Sequence, residues 1–279
     1  MIVFQDLSFT YKGEKKPALQ EIRLTVPDGG FLGVIGPAGA GKTTLARAVS
    51  GMIPHHYTGD YYGSVTVNGL DTVETSLDEI SRLVGTVFQD VDSQIISPMV
   101  EDEMLYGLEN FGVPREEIPG RVEEALEKVG IAELRERTIG SLSGGQRQKV
   151  AIASILALKP QILVLDEPTG ELDPRSSRQV FSLLKELNEE QGITVILIEQ
   201  KIMLLCEFAR QLAVLNGGRI VFQGDTREVL SHSEELQALG VNCPRVTTLS
   251  RVLSDRTGEA QPACINLDEA EAMVRRLIP

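Results

Sequence analysis

The chain has 279 residues, 42% of them apolar, and a formal net charge of −13. That length and apolar content suffice to bury a core without disulfide staples, and the acidic balance works against binding DNA or RNA, where Lys and Arg must neutralise phosphates. Cys206, Cys243 and Cys264 have neither pairing nor metal-ligand spacing and read as reduced thiols of a cytosolic protein. No run reaches the roughly 18 apolar residues that cross a bilayer, the richest being Val150 to Leu158, and the start MIVFQDLSF lacks the basic region of a secretory signal.

In chain order, the spacing predicts strands over Ile2 to Thr10, Ile22 to Val26 and Phe31 to Ile35, then a glycine-rich turn and a helix. A strand from Ser64 to Val67 ends in the turn pair Asn68-Gly69, and a buried strand follows over Val84 to Phe88. From Met99 to about Arg137 the pattern becomes helical and charged, interrupted by Pro114 and Pro119, which reads as an inserted helical subdomain. A parallel-sheet core resumes with a strand at Ile162 to Leu165, a helix at Pro174 to Glu189 and a strand at Ile193 to Ile198. A hairpin around Asn216-Gly217-Gly218 and short helices capped near Asp225 complete the readable part. The fold class is therefore α/β, a mixed sheet core with an antiparallel β region and a helical insertion. Residues 1–240 form the main domain, with the helical subdomain at about 90–158, and 241–279 form a C-terminal extension that covers the core or meets a partner.

The strongest local feature is Gly36-Pro37-Ala38-Gly39-Ala40-Gly41-Lys42-Thr43-Thr44, which follows the apolar strand FLGVI and opens a helix. This is the P-loop context: glycines turn backbone N–H groups toward phosphate oxygens, and the helix N-terminus adds a favourable dipole. Lys42 is expected to bridge the β- and γ-phosphates of ATP and the Thr43 hydroxyl to coordinate Mg2+. Downstream, QILVLDEPTG puts Asp166 and Glu167 at the end of a buried strand, with Asp166 suited to magnesium and Glu167 to polarising the attacking water as general base.

Those features fit many ATPases, and Leu142-Ser143-Gly144-Gly145-Gln146 ahead of the helix GQRQKVAIASILALKP narrows the class, because it resembles the signature of the ABC ATPase family. Ser143 and the Gly144 and Gly145 amides at a helix N-terminus make an anion-binding surface for a γ-phosphate. The resemblance covers roughly residues 1 to 230. It implies that Ser143 to Gln146 cap ATP held by another subunit's P-loop, that Gln89 in VFQD touches magnesium and reports nucleotide state, and that Tyr11 stacks on adenine. It also implies that Glu171-Leu172-Asp173 is the D-loop at the dimer interface, with Gly170-Glu171 replacing the small pair more usual there. The segments around VFQDVDSQIISPMVEDEMLYGLENFGVP and VGIAELRERTIGSLSGGQRQKVAIA are similar to energy-coupling-factor and cobalt-type importers. That implies three partners: a second ABC ATPase, different or identical, a transmembrane coupling protein and a substrate-binding membrane subunit. It places the chain peripherally on the cytoplasmic face of the cell membrane, driving uptake of a vitamin, metal ion or similar micronutrient. Asp90, Asp92, Glu101, Asp102 and Glu103 are candidates for meeting basic coupling helices, or for a solvated acidic face.

One position departs from the family. VILIEQK puts Gln200 where a histidine contacts the γ-phosphate and the attacking water. Glutamine keeps a neutral donor, so a slowed site, paired with a different ATPase, is expected rather than a dead one. The competing readings are a soluble ABC ATPase, which usually carries fused cassettes or a long coiled coil, and a catalytically weakened regulatory subunit.

Overall fold

In the computed structural model, which describes residues 1–259 and 261–277, strands β1 (Ile2–Tyr11) and β2 (Leu19–Val26) are followed by β3 (Phe31–Ile35) and the helix α1 (Lys42–Val49). A short α2 (Met52–His55), β4 (Gly59–Val67), β5 (Leu70–Asp71), α3 (Leu77–Leu83) and β6 (Val84–Val87) come next. Four helices then run in succession: α4 (Val91–Gln94), α5 (Val100–Asn110), α6 (Ile118–Val129) and α7 (Gly144–Ala157). β7 (Ile162–Asp166), α8 (Pro174–Gln191), β8 (Thr194–Ile198), α9 (Ile202–Phe208), β9 (Gln211–Asn216) and β10 (Arg219–Asp225) return to the sheet. The chain continues through α10 (Thr226–Ser231), α11 (Ser233–Ala238), α12 (Arg245–Thr257) and α13 (Leu267–Leu277).

The strands form an antiparallel sheet in the order β2-β1-β4-β5 and a second sheet in the order β10-β9-β3-β8-β7-β6. In the second, β6, β7, β8, β3 and β9 are parallel and β10 runs antiparallel on β9. Every residue of β3, β7 and β8 is buried. That is why these strands read as unbroken apolar runs: both faces of the sheet are covered. Side chains alternate across the pleat, so the strands feed two cores. Leu32, Val34, Ile162, Val164, Ile196 and Ile198 meet Leu45 and Ala46 of α1 and the antiparallel sheet. Phe31, Ile35, Leu163, Leu165 and Leu197 meet the helices on the other side, including Phe181 and Leu184 of α8.

Caps fix where the helices begin. The Ser143 hydroxyl accepts from Gln146 N while the Gln146 side chain accepts from Ser143 N, a reciprocal box that starts α7. Asp173 accepts from the amides of Arg175 and Ser176 to start α8, and Asp225 accepts from Arg227 N to start α10, as expected. β4 begins at Gly59 rather than at the expected Ser64. Its Gly63, a turn residue by composition, lies at φ +79° opposite a bulge in β1 at which Asp6 has φ +52°, so the glycine serves a kinked strand pair. The strand expected from Ile193 starts one residue later, at Thr194.

Beyond Gly240, α12 and α13 pack on each other around Val246, Cys264, Ala270 and Met273, apart from the two main cores. Arg227 of α10 ties this pair down by donating to both Glu269 oxygens, at 2.7 and 2.9 Å, and to the Ala263 carbonyl at 3.0 Å. Residues 278 and 279 at the end of the amphipathic stretch lie outside the described residues. Among the described residues no helix is long and apolar enough to cross a membrane.

The Arg227 guanidinium holds the Glu269 carboxyl below its ordinary value. A depressed carboxyl contributes stability above its ordinary pKa and loses that contribution as pH falls through the folded value. Hydrogen exchange of α13 is therefore expected to accelerate before that of β3, β7 and β8 on acidification, and Arg227→Ala should produce the same selective acceleration at neutral pH.

Candidate functional site

The phosphate loop leaves the sheet where β3 ends. Gly36 has φ +152°, and a Cβ there would collide with the Leu215 carbonyl of β9. Gly41 has φ +104°, and a Cβ would stand 2.5 Å from the Ala18 carbonyl oxygen. These two positions exclude side chains because neighbouring backbone closes over the loop. Ala38 and Gly39 lie on its exposed outer rim, whereas Ala40 is buried and its N–H donates to Pro37 O at 3.2 Å. Lys42 Nζ donates to Gly36 O at 2.9 Å and Pro37 O at 3.1 Å, holding the ammonium over the loop.

Beside the loop, the Tyr11 hydroxyl lies 3.1 Å from Thr44 Oγ1 and accepts from Arg47 Nη1 at 3.0 Å. Its ring meets Phe9 and Tyr57 edge-on, and the Arg47 guanidinium carbon sits 4.1 Å from the Tyr57 ring centroid. Tyr11 is thus anchored to the first turns of α1, among aromatics.

Asp166 and Glu167 end the neighbouring strand and behave differently. Asp166 is almost fully buried, and its Oδ2 has no hydrogen-bond partner. Burial pushes its carboxyl up, while a hydrogen bond from Thr43 opposes that. A buried carboxylate oxygen left without a donor, next to a threonine hydroxyl, fits a hard divalent cation. Among the described residues there is no cluster of three His, Cys, Asp or Glu that could hold a metal ion. The donors present, Asp166, Thr43 and the nearby Gln89, suit magnesium, which typically takes one or two carboxylates and completes its shell with phosphates and water.

Glu167 has φ +52°, a conformation that costs a non-glycine residue about 1–3 kcal/mol and persists only when its surroundings over-determine it. They do. Glu167 N donates to Ile198 O at 2.9 Å, and its carbonyl accepts from Gly170 N at 3.1 Å and from Gln148 Nε2 at 3.2 Å. Gln200 Nε2 donates to one carboxylate oxygen at 2.7 Å and Gln89 Nε2 to the other at 3.2 Å. Three residues singled out far apart in the sequence therefore meet on one carboxylate.

Gln148 was not among the expected site residues, although it is 3% exposed and its Oε1 has no partner. Its signal was a polar residue on the buried stripe of α7, in step with Ala151 and Ile152. A cavity of about 870 Å3 joins Thr43, Gln89, Gln148, Asp166, Glu167 and Glu171, and none of Ser143, Gly144 or Gly145 lines it. A Cβ on Gly144 would collide with the Glu171 carboxylate, and one on Gly145 would lie 2.9 Å from Leu172 Cδ2. The Glu171 and Leu172 side chains thus lie against the first turn of α7. Gln146, expected on nucleotide, spends its side chain on the Ser143 cap, and Asp173 spends its carboxylate on the start of α8.

Comparisons with known proteins identify the family. A family model described as ABC transporter matches residues 19–170. A protein of Pyrococcus abyssi, provisionally named an ABC transporter ATP-binding protein, is 41% identical over 99% of this chain and 98% of its own length. The structure of cbiO1 from Clostridium perfringens, part of the ABC transporter complex cbiONQ, superposes with a TM-score of 0.74 at 30% identity, covering 90% of this chain and 98% of its own. A dimeric, post-hydrolysis structure of the ATP-binding cassette MJ0796 with ADP and Pi superposes with a TM-score of 0.72 at 27% identity, covering 81% of this chain and 99% of its own.

Glu167→Gln is expected to lower kcat for ATP hydrolysis by roughly 100- to 10,000-fold, the range typical of a lost general base, while leaving ATP affinity nearly unchanged. Steady-state ATPase assays with titration of a fluorescent ATP analogue check both halves.

Proposed function

The chain belongs to the ABC transporter ATP-binding family, an ATPase coupled to transport, and we propose that it is the motor subunit of an importer of the energy-coupling-factor type. The observation that carries the hydrolytic role is the convergence of Gln89, Gln148 and Gln200 on Glu167 beside Asp166 and Thr43. Glu167 takes a proton from the water that attacks the γ-phosphate of ATP, giving ADP and phosphate, and the Lys42 ammonium steadies the β- and γ-phosphates. Thr43 and Asp166, with Gln89 adjacent, would hold magnesium, which would supply charge neutralisation for the phosphates.

Two cassettes act together in this reading. ATP bound at one P-loop is capped by Ser143, Gly144 and Gly145 of the other, so nucleotide joins the subunits and hydrolysis releases them. The second cassette is a different chain or a second copy. Gln200 donates a neutral hydrogen bond where the family places a histidine, which favours a different chain that carries the faster site.

The importer assignment is supported by the likeness to cbiO1 over most of both chains. The surface beside Gln89 refines how a membrane subunit docks. Asp92 is engaged by Arg147 at 2.7 Å, Glu101 by Arg135 at 2.6 Å, and Glu103 is buried, accepting from Ile96 N and Ser97 N. Three of the five acidic residues are therefore engaged by partners within the subdomain, although only Glu103 is buried. Ile96 and Tyr106, 66% and 47% exposed, are the apolar residues this face offers to a coupling protein. That docking holds the chain at the cytoplasmic face of the membrane, with a separate membrane subunit capturing a vitamin, metal ion or similar micronutrient.

Affinity purification of the chain from solubilised membranes of its native host, with mass spectrometry of what co-purifies, tests the assignment. A second ATPase together with integral membrane subunits is expected. Recovery of soluble partners alone would favour a non-transport ABC ATPase.

A further inference from the structure

The two residues that flank Gln200 do not face Glu167. Glu199 is 3% exposed, and its Oε1 accepts from Thr169 N at 3.0 Å and from the Thr169 hydroxyl at 2.6 Å. Its Oε2 accepts from Gln200 N at 3.1 Å and Lys201 N at 3.5 Å. Lys201 Nζ donates to Thr169 O at 2.6 Å, Leu172 O at 2.9 Å and Ser177 Oγ at 2.8 Å, using all three of its protons. One carboxylate and one ammonium, two positions apart between β8 and α9, thus hold the irregular segment from Thr169 to Leu172, mainly by its backbone.

That segment lies between Glu167 and Asp173. It has no sheet partner; besides the turn bonds from Gly170 N to Glu167 O and from Leu172 N to Thr169 O and the burial of Leu172, these two side chains hold it. A carboxylate buried this deeply is retained only when its acceptor capacity is filled, as here, and an apolar pair could seal the same space without directional bonds. The directional bonds run from both neighbours of Gln200 to the loop that the family resemblance assigns to the dimer interface.

We infer that Glu199 and Lys201 are positioning residues that weld the 169–172 loop to the segment carrying Gln200, so that Gln200 and the interface loop move as one body. A shift of Gln200 when the γ-phosphate leaves is then transmitted directly to the surface facing the second cassette. The hydrolytic consequence rests on the proposed roles of Glu167 and Gln200.

The test compares Glu199→Gln, Lys201→Met and Gln200→Ala in the full-length chain assembled with its second cassette, measuring kcat, affinity for a fluorescent ATP analogue and melting temperature. Glu199→Gln sets an amide donor against the amides of Gln200 and Lys201, and Lys201→Met removes the ammonium at similar volume. Each is expected to lower kcat by roughly 10- to 100-fold, with ATP affinity changed by less than about threefold. A kcat within about threefold of the parent in Lys201→Met, or ATP affinity falling in step with kcat, would overturn the inference. Should Glu199→Gln fail to fold, Lys201→Met decides, because Lys201 is only half-buried. Loss of turnover in the two flanking variants with Gln200→Ala unaffected would keep the clamp and remove Gln200 from the reaction. Loss in Gln200→Ala alone would keep the site and remove the clamp.

Discussion

The Glu167 carboxylate, held in a left-handed backbone conformation at the end of β7, is the constraint around which the rest of the molecule is arranged. The strain at this residue is balanced by hydrogen bonds on both sides of its peptide unit and on both of its carboxylate oxygens. Each donor comes from a different place: Gln89 follows β6, Gln200 follows β8, and Gln148 lies on α7. The parallel order β8-β7-β6 brings the first two to either side of Glu167.

All three side-chain donors on Glu167 are neutral amides. They orient the carboxylate without contributing a formal charge, and none of them titrates in the physiological range. Gln148 also ties the end of β7 to the helical region, so relative movement of α7 and the sheet must stretch or break its bond to the Glu167 carbonyl. The phosphate loop has the opposite character. It is fixed by exclusion: the Leu215 and Ala18 carbonyls leave no room for side chains at Gly36 and Gly41, and Lys42 closes the loop by bonding its own carbonyls.

What could be read from the sequence was local or periodic. The P-loop, the Asp166-Glu167 strand end and the Ser143 to Gln146 helix start are contiguous, and buried parallel strands announce themselves as apolar runs. Contacts that depend on the fold could not be read this way. Gln148 reaches a carbonyl 19 positions along the chain, and Glu199 accepts from a residue 30 positions away. The acidic run from Asp90 to Glu103 looked like a continuous charged surface, yet Arg135 and Arg147, remote in sequence, neutralise two of its members, and Glu103 turns inward. The early start of β4 was missed for a related reason, since the bulge that kinks the pair near Gly63 depends on the partner strand β1.

The most direct measurement is a crystal structure of the Glu167→Gln chain with ATP and magnesium, together with the ATPase subunit that accompanies it or a second copy of itself. ATP held between Lys42 and the Ser143 to Gly145 loop of the facing cassette, with the Gln200 amide on the γ-phosphate, is the predicted result. ATP bound with no signature loop over it, or with Gln200 turned away from the γ-phosphate, would contradict it.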